Sequence, residues 1–230
     1  MALNYAVPFN IITIWLYILL KVLPSGGTFI VRGIYMSSFF AFLKRMRFIN
    51  RWSLMRNTET ENIQEHSLEV AMVAHNLAAL KNEYFGGNLD INKVAVIAMY
   101  HEVSEIFTGD MPTPIKYFDP KLRSLYGEVE TLAQEKMLST LPERLQSVYK
   151  PYIVDAETLP EWPIVKAADT LSAYMKCVNE LHAGNDEFKE AHDTILAKLK
   201  ALNMPEVDMF IEEYVPALSE SLDKLNYYKI

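Results

Sequence analysis

The chain has 230 residues, of which 50% are hydrophobic, and its mean hydropathy is +0.02. These values fit one medium-sized domain with a full core and exclude a disordered or fibrous chain. The net charge of −7 argues against binding to a nucleic-acid polymer, which needs a basic surface. A lone cysteine, Cys177, cannot form an intrachain disulfide, so we expect a reducing, cytoplasmic location.

The first 35 residues differ in composition from the rest of the chain. They contain no Asp or Glu, and their apolar stretch spans only residues 11–20. A membrane span needs about 20 apolar residues, and a signal peptide normally has Lys or Arg before its apolar stretch. We therefore predict that residues 1–35 form an extension outside the native fold, with a weak membrane anchor as the alternative. Residues 36–230 are predicted to form a single domain, and membrane association of that domain is not expected.

Helical patterns fill the remainder of the chain, since apolar residues recur at helical spacing and glycines are few. We predict an all-α domain without a glycine-rich phosphate loop or a G-x-S-x-G elbow. The predicted helices are a first within 36–58, a second with its core face at 68–80, and others at 91–106, 122–138, 142–149, 164–182, 188–202 and 207–225, the last kinked at Pro216. Proline-rich loops are predicted at 108–120 and 151–163.

An imidazole and two carboxylates close the third predicted helix. His101, Glu102 and Glu105 directly follow the apolar run 94–100. Such groups are costly to desolvate together, and a bound divalent metal would relieve that cost. The alternative is a helix end that turns into solvent, with His101 and Glu105 as an ordinary exposed pair one turn apart.

Further candidate residues lie on other segments. His66 falls in the first turns of the second helix, and Asp169 lies among small and apolar neighbours in the long helix. Arg51 and Trp52 follow the first helix, where a guanidinium could bind phosphate oxygens and an indole could stack on a base or sugar. Their alternative roles are a surface ion pair and a core anchor. Asp110 could accept a hydrogen bond from a ligand hydroxyl or cap its turn.

The order H…H-[D/E]…D in an all-helical chain resembles that of HD-domain phosphohydrolases. Beyond this motif, the segments FINRWSLMRNTETENIQEHSLEVAMVAHNLAALKN, AMYHEVSEIFTGDMPTPIKYF and VKAADTLSAYMKCVNEL resemble the bacterial 5'-deoxynucleotidases of the YfbR type. The resemblance covers residues 36–225. It implies an all-α HD-domain helical bundle, a phosphoric monoester hydrolase acting on deoxyribonucleoside 5'-monophosphates, a divalent cofactor such as cobalt or manganese, and a homodimer.

The resemblance also implies roles for individual residues. Metal ligands are implied at His66, His101, Glu102 and Asp169, with Glu102 standing where the family has Asp. Glu105 corresponds to the catalytic carboxylate of the family. An extra methylene in Glu102 puts the metal preference and affinity in doubt more than the activity. The donor set of nitrogen and oxygen suits Mn, Co, Fe or Zn rather than Mg or Ca alone.

Substrate contacts are implied on both sides of this cluster. Arg51 matches a residue that orients and neutralises the phosphate, Trp52 one that selects against a ribose 2'-hydroxyl, and Asp110 a sugar contact. His66 also borders the substrate in the family. A looser match implies further contacts at Asp155, Ala156, Glu157 and Thr158. Two other functions stay open, a non-catalytic nucleotide-binding regulatory protein on the same fold and an HD hydrolase of another phosphate ester, such as a phosphodiester.

Overall fold

The computed structural model describes residues 36–116 and 118–225, and the predicted extension 1–35 lies outside them. The α-helices of the described residues are α1 Phe39–Leu43, α2 Ile63–Tyr84, α3 Ile91–Tyr100, α4 Glu105–Thr108, α5 Thr113–Lys116, α6 Pro120–Ser139, α7 Glu143–Ile153, α8 Trp162–His182, α9 Lys189–Ala201, α10 Pro205–Glu213 and α11 Leu222–Leu225. Short 3₁₀-helices lie at Met46–Phe48, Ala156–Thr158, Asp186–Phe188 and Val215–Ser219. The all-α prediction is confirmed for this part of the chain.

Helices α2, α3 and α8 form the centre of the domain and share the larger hydrophobic core. Helix α2 begins with a capping box, in which the Asn62 side chain accepts from the backbone N–H of Glu65 and the Glu65 carboxylate accepts from that of Asn62. Its buried face includes Val70, Ala74 and Leu77, which follow the helical repeat. Helices α9 and α10 cover this core from the side of α8 and α2.

A second, smaller core lies where the chain leaves α3. Its buried members are Phe39, Val103, Met137, Leu141 and Ile153. Four different elements meet there, α1, the turn after α3, α6 and α7. Val103 is fully buried in this cluster, so its packing fixes the position of the short turn 101–104. The orientations of the polar side chains next to Val103 in this turn are therefore fixed as well.

The prediction of one continuous helix over 91–106 is wrong. Helix α3 ends at Tyr100, and the turn 101–104 separates it from α4. In this turn the backbone N–H groups of His101, Val103 and Glu105 each donate to the carbonyl three residues earlier. The Ala98 carbonyl, moreover, accepts from the His101 ring. This capture of a helix carbonyl by a side chain ends the regular α-helical hydrogen bonding.

Other boundaries also differ from the prediction. A single kinked helix over 207–225 is wrong, because α10 ends at Glu213 and a 3₁₀-helix containing Pro216 follows. Proline removes a backbone donor and clashes with the preceding turn, which here breaks the helix rather than bending it. The predicted loop 151–163 begins later than expected, since α7 continues through Pro151 to Ile153.

Membrane insertion finds no support in the described segments. None of their helices has the combination of length and apolar character that crossing a bilayer requires. The alternative of a weak anchor concerns residues 1–35 and lies outside the described residues.

The neighbouring residues Phe39 and Phe40 give a test of the smaller core. Phe39 is 0% exposed and packs against Tyr100 and Tyr149, whereas Phe40 is 70% exposed. We expect Phe39→Ala to lower the free energy of unfolding by about 3–5 kcal/mol, because it leaves a cavity in a packed cluster. Phe40→Ala, the matched control, should lose less than about 1.5 kcal/mol, which is the range of one aromatic edge contact. Urea unfolding measures both, and equal losses would contradict the assignment of this core.

Candidate metal and nucleotide site

Four side chains that are distant in sequence converge at one end of the central helices. His66, His101, Glu102 and Asp169 each offer one ligand atom, and these atoms lie within 4.8 Å of one another. They come from the start of α2, the turn after α3 and the middle of α8. The structure therefore brings together the four residues that were predicted as metal ligands, which we call the metal cluster.

The nitrogen donors of this cluster face carboxylate oxygens. His66 Nε2 lies 3.2 Å from Asp169 Oδ1, and His101 Nε2 lies 3.1 Å from Glu102 Oε1. Both Nε2 atoms are buried, yet neither has an aligned hydrogen-bond partner in the described part of the chain. A buried polar atom without a partner is unfavourable. Two imidazole nitrogens and two carboxylates converging on one space form a mixed donor set that fits a divalent transition metal.

When neutral, each histidine is held in the tautomer that leaves Nε2 available. His101 Nδ1 donates to the Ala98 carbonyl oxygen at 2.7 Å. His66 Nδ1 lies 3.1 Å from Ser172 Oγ, and the Ser172 hydroxyl donates to the Glu69 carboxylate. Because that bond uses the only hydroxyl hydrogen of Ser172, its oxygen must accept from His66 Nδ1. Such outer partners fix the ring orientation and raise the basicity of a metal ligand.

The charges of the cluster are strongly coupled. Burial alone would lower the pKa of His101, but Glu102 and Asp169 raise it to about 9. For the acids Glu102 and Asp169 burial acts in the opposite direction and would raise the pKa. The neighbouring His101 instead lowers the pKa of Glu102, and Lys166, 2.7 Å from Asp169 Oδ2, lowers that of Asp169 together with the two histidines. Without a metal, the two carboxylates are charged and His101 carries a balancing proton.

Glu105 lies one turn beyond the ligands, at the first position of α4. Its side chain is almost completely buried, and Oε2 has no partner within the described segments. Burial and the nearby charge of Glu102 raise the pKa of Glu105 to about 11. A buried carboxyl group with a strongly raised pKa beside a cluster of ligands is typical of a catalytic acid or base. A bound cation would bring this pKa down.

Arg51 and Trp52 lie on a loop beside the metal cluster. Burial would lower the pKa of Arg51, but Glu61, Asp169, Glu102 and Asp110 raise it, so the guanidinium stays charged. Trp52 has a φ of 58°, a left-handed backbone that usually costs about 1–3 kcal/mol for a bulky residue. Its backbone N–H stabilises the charged form of Asp110, although burial raises the pKa of that carboxyl overall.

The loop that carries Arg51 and Trp52 is tied to α8 by a buried carboxylate. Glu180 is almost fully buried and accepts from the backbone N–H and the hydroxyl of Thr58. It also accepts from Lys176 and Asn185, both close to the end of α8. These charge-assisted bonds lower the pKa of Glu180 to about 2, against the raising effect of burial. The loop is therefore fixed at the end that lies away from the metal cluster.

The stretch from Asp155 to Thr158 forms a 3₁₀ turn between α7 and α8. The Asp155 carboxylate is 2.5 Å from Lys150 Nζ, and the Thr158 hydroxyl donates to the Asp155 carbonyl. Ala156 is buried in the larger core, while Glu157 is exposed. Asp155, Ala156 and Thr158 have local contacts, and a role in substrate binding for all four residues rests on the resemblance alone.

Three polar residues of this site were not singled out from the sequence. Glu61 lies 3.4 Å from Arg51 Nε, and Glu69 and Ser172 form the outer partners of His66. Ser172 follows Asp169 by three residues on α8 and Glu69 follows His66 by three on α2, so both share a helix face with a predicted ligand. That spacing was a usable signal for two of them. Nothing in the local pattern distinguishes Glu61 from an ordinary loop acid.

The helical bundle has the fold of the HD-domain phosphohydrolases, which solved structures share. An HD-domain phosphohydrolase from Listeria innocua is 24% identical, covers 82% of this chain and 92% of its own, and superposes with a TM-score of 0.70. A cyanophage S-2L HD phosphohydrolase, bound to dA and one catalytic Zn²⁺ ion, is 18% identical with a TM-score of 0.55, over 80% of this chain and 99% of its own.

The sequence comparisons are more specific than the fold. Residues 38–218 match the family described as 5'-deoxynucleotidase YfbR-like. A 5'-deoxynucleotidase YfbR from Escherichia coli O1:K1 / APEC is 49% identical over 191 residues, which is 83% of this chain and 96% of the relative. The chain belongs to the YfbR-like 5'-deoxynucleotidase family, as its sequence segments predicted.

The outer partners of His66 lead to a test by metal binding. We expect Ser172→Ala to weaken Co²⁺ affinity about 10–100-fold, because His66 loses the acceptor that holds its tautomer. Ser67→Ala is the matched control, since that buried hydroxyl donates within its own helix to the Ile63 carbonyl. Calorimetric titration of Co²⁺ into metal-free protein measures both. An unchanged Co²⁺ affinity in Ser172→Ala would contradict the role of Ser172 as the acceptor that holds the His66 tautomer.

Proposed function

We propose that the protein is a metal-dependent 5'-deoxynucleotidase, which hydrolyses deoxyribonucleoside 5'-monophosphates to deoxynucleoside and phosphate. The observation that carries this proposal is the convergence of His66, His101, Glu102 and Asp169 in a chain of the YfbR-like family. The charged guanidinium of Arg51 beside this cluster supports a phosphate substrate.

The chemistry follows from the placement of the residues. His66, His101, Glu102 and Asp169 would hold the divalent ion, which lowers the pKa of water from about 15.7 towards about 7 when it is bound. Glu105 orients the attacking water and takes up its proton, a contribution of about 10²–10⁴-fold.

Substrate positioning falls to the neighbouring loop. Arg51 neutralises charge on the phosphate oxygens as phosphorus is attacked in line with the leaving 5'-oxygen. Trp52 and Asp110 take the sugar side of the site, where Trp52 selects against a 2'-hydroxyl. We also assign substrate contacts to His66 and, on the basis of the resemblance, to the 3₁₀ turn from Asp155 to Thr158.

Cobalt or manganese is the cofactor we propose. Two imidazoles and two carboxylates suit these ions better than Mg²⁺ or Ca²⁺. The cyanophage phosphohydrolase binds zinc, but at 18% identity it bears on the fold alone. Glu102 has one methylene more than the Asp implied by the family, so the choice among Co, Mn, Fe and Zn is where this chain is expected to differ from its relatives.

We further propose that the protein works in the cytoplasm, which is supported by its buried free thiol at Cys177. The other candidate functions share the fold and differ in chemistry. A regulatory protein would bind nucleotide without turnover, and a phosphodiesterase would prefer diester substrates. A matrix of substrates (dNMP, NMP and phosphodiester) against metals (Co, Mn, Fe and Zn) distinguishes the three functions.

Two substitutions test the catalytic assignment. Asp169→Ala should abolish release of inorganic phosphate from dAMP because a metal ligand is lost. Glu105→Gln should lower kcat about 10²–10⁴-fold while Co²⁺ still binds, because only the proton acceptor is removed. The exposed residues Asp208 and Glu128 give matched controls, Asp208→Asn and Glu128→Gln, which should retain wild-type rates. Activity that survives a strong chelator, or full activity in Glu105→Gln, would contradict the mechanism.

We propose that the enzyme is a homodimer that pairs through α6. The exposed apolar residues on this helix repeat at intervals of three and four and so lie on one face, Leu122, Leu125, Val129 and Leu132. A continuous apolar stripe of this kind usually marks a contact surface, and a second copy of the same helix offers a matching stripe.

Charge placed on that stripe tests the dimer. Leu132 is 64% exposed, and Leu132→Glu should convert the dimer to a monomer in sedimentation velocity, since a carboxylate would be buried at the contact. Met72, which is 60% exposed on α2, provides the control Met72→Glu with no change in mass. A monomeric wild type, or dissociation by Met72→Glu alone, would refute the assignment of α6.

A further inference from the structure

We propose that Glu61 is a positioning residue that sets the discrimination between deoxyribose and ribose by fixing Trp52 and Arg51 against the metal site. This inference rests on the proposed function, since it concerns the same site. Glu61 acts through its neighbours and needs no contact with the substrate.

The carboxylate of Glu61 contacts both predicted substrate residues, Trp52 and Arg51. Its Oε2 accepts from Trp52 Nε1 at 3.1 Å and lies 3.4 Å from Arg51 Nε, where it forms an ion pair rather than an aligned hydrogen bond. The side chains of Arg51 and Glu61 are largely shielded from solvent. A shielded charge pair is screened little and therefore restrains both partners more strongly than a surface pair does.

The second oxygen of the same carboxylate faces the metal cluster. Glu61 Oε1 lies 3.6 Å from His66 Nδ1, behind the ring of a metal ligand. Ser172 Oγ is closer to that nitrogen and accepts its hydrogen bond, so Glu61 adds an electrostatic restraint rather than the main bond. One carboxylate thus contacts the Trp52 indole, the Arg51 guanidinium and the His66 imidazole, and it restrains their relative positions.

The backbone holds Glu61 in register with its partners. The Arg51 N–H donates to the Glu61 carbonyl at 2.9 Å, and an antiparallel bridge joins Asn50 to Asn62. This pairing sets Glu61 across from Arg51, directly before the capped start of α2. The pairing therefore fixes the loop relative to His66, which lies one turn into that helix.

Trp52 needs this restraint because its own backbone is unfavourable. The indole is held on one edge by Glu61, and its ring packs on Phe188 with centroids 5.3 Å apart. Asn57 donates to the Trp52 carbonyl, which restrains the left-handed peptide as well. If the Glu61 bond is lost, the indole can turn about its side-chain torsions even where the backbone stays fixed, and a ribose 2'-hydroxyl would no longer meet a rigid wall.

The first experiment compares dAMP with AMP in Co²⁺-loaded enzyme. We expect Glu61→Gln to lower the ratio of kcat/KM for dAMP over AMP about tenfold, at the lower end of what changes in outer partners cause. Since the contact acts on binding of the sugar, KM for dAMP should rise more than kcat falls. Glu59→Gln removes a charge from an exposed position on the same loop and should leave the ratio unchanged.

A double-mutant cycle separates positioning from general damage to the fold. Trp52→Phe keeps a ring but deletes the indole N–H, so it should lower the same ratio. Combined with Glu61→Gln, it should add little, because the loss of the carboxylate charge weakens the same hydrogen bond that Trp52→Phe removes. Fully additive losses, or an unchanged ratio in Glu61→Gln, would overturn the proposal.

A readout that does not depend on turnover completes the test. The indole ¹⁵N–¹H resonance of Trp52, assigned by Trp52→Phe, should move in Glu61→Gln and stay in place in Glu59→Gln. The dissociation constants of dAMP and AMP for the metal-free protein give selectivity without hydrolysis. A wild type that prefers dAMP but hydrolyses neither nucleotide would refute the proposed activity alone. A Glu61→Gln variant that keeps the wild-type preference in binding would refute the role of Glu61.

Discussion

The site depends on one electrostatic constraint, namely that two buried imidazoles and two carboxylates must share a small space. His101 and His66 leave their Nε2 atoms without aligned partners, and Glu102 and Asp169 remain charged despite burial. A hydrophobic domain tolerates such a group only when charges balance and the remaining polar atoms are hydrogen-bonded. The outer acceptors Ala98 and Ser172 serve that second need, since they bind the Nδ1 atoms and direct Nε2 inward.

The two hydrophobic cores fix the positions of the segments that carry these four side chains. The larger core fixes α2 and α8, which carry His66 and Asp169, while the smaller core buries Val103 directly after the pair His101–Glu102. Side chains on rigid helices, and on a turn that packs in the smaller core, would lose little freedom if they bound a cation. Arg51 and Trp52, the predicted substrate contacts, lie instead on a loop that is held by polar side chains, Glu180 at one end and Glu61 at the other.

Much of this arrangement could be predicted from residue patterns, and the exceptions have physical causes. The helical class and most central helices follow from apolar periodicity, and the four residues of the metal cluster follow from a motif that the resemblance made specific. Apolar periodicity does not predict the break after Tyr100, because the His101 ring donates to a backbone carbonyl without changing the apolar pattern of the helix. The role of Glu61 does not follow from the sequence, because the function of a carboxylate in a loop depends on the residues that the fold places around it.

The metal-free site is already balanced by cations of its own, and this bears on how the metal is taken up. Lys166 lies against Asp169, and the proton on His101, whose pKa is raised to about 9, offsets Glu102. Below that pH, coordination through His101 Nε2 would require the loss of that proton, so metal uptake would be linked to proton release. Glu102 enters this exchange directly, because its Oε1 is the closer carboxylate oxygen to His101 Nε2. The position of the Glu102 carboxylate would therefore bear on the competition between proton and metal at His101.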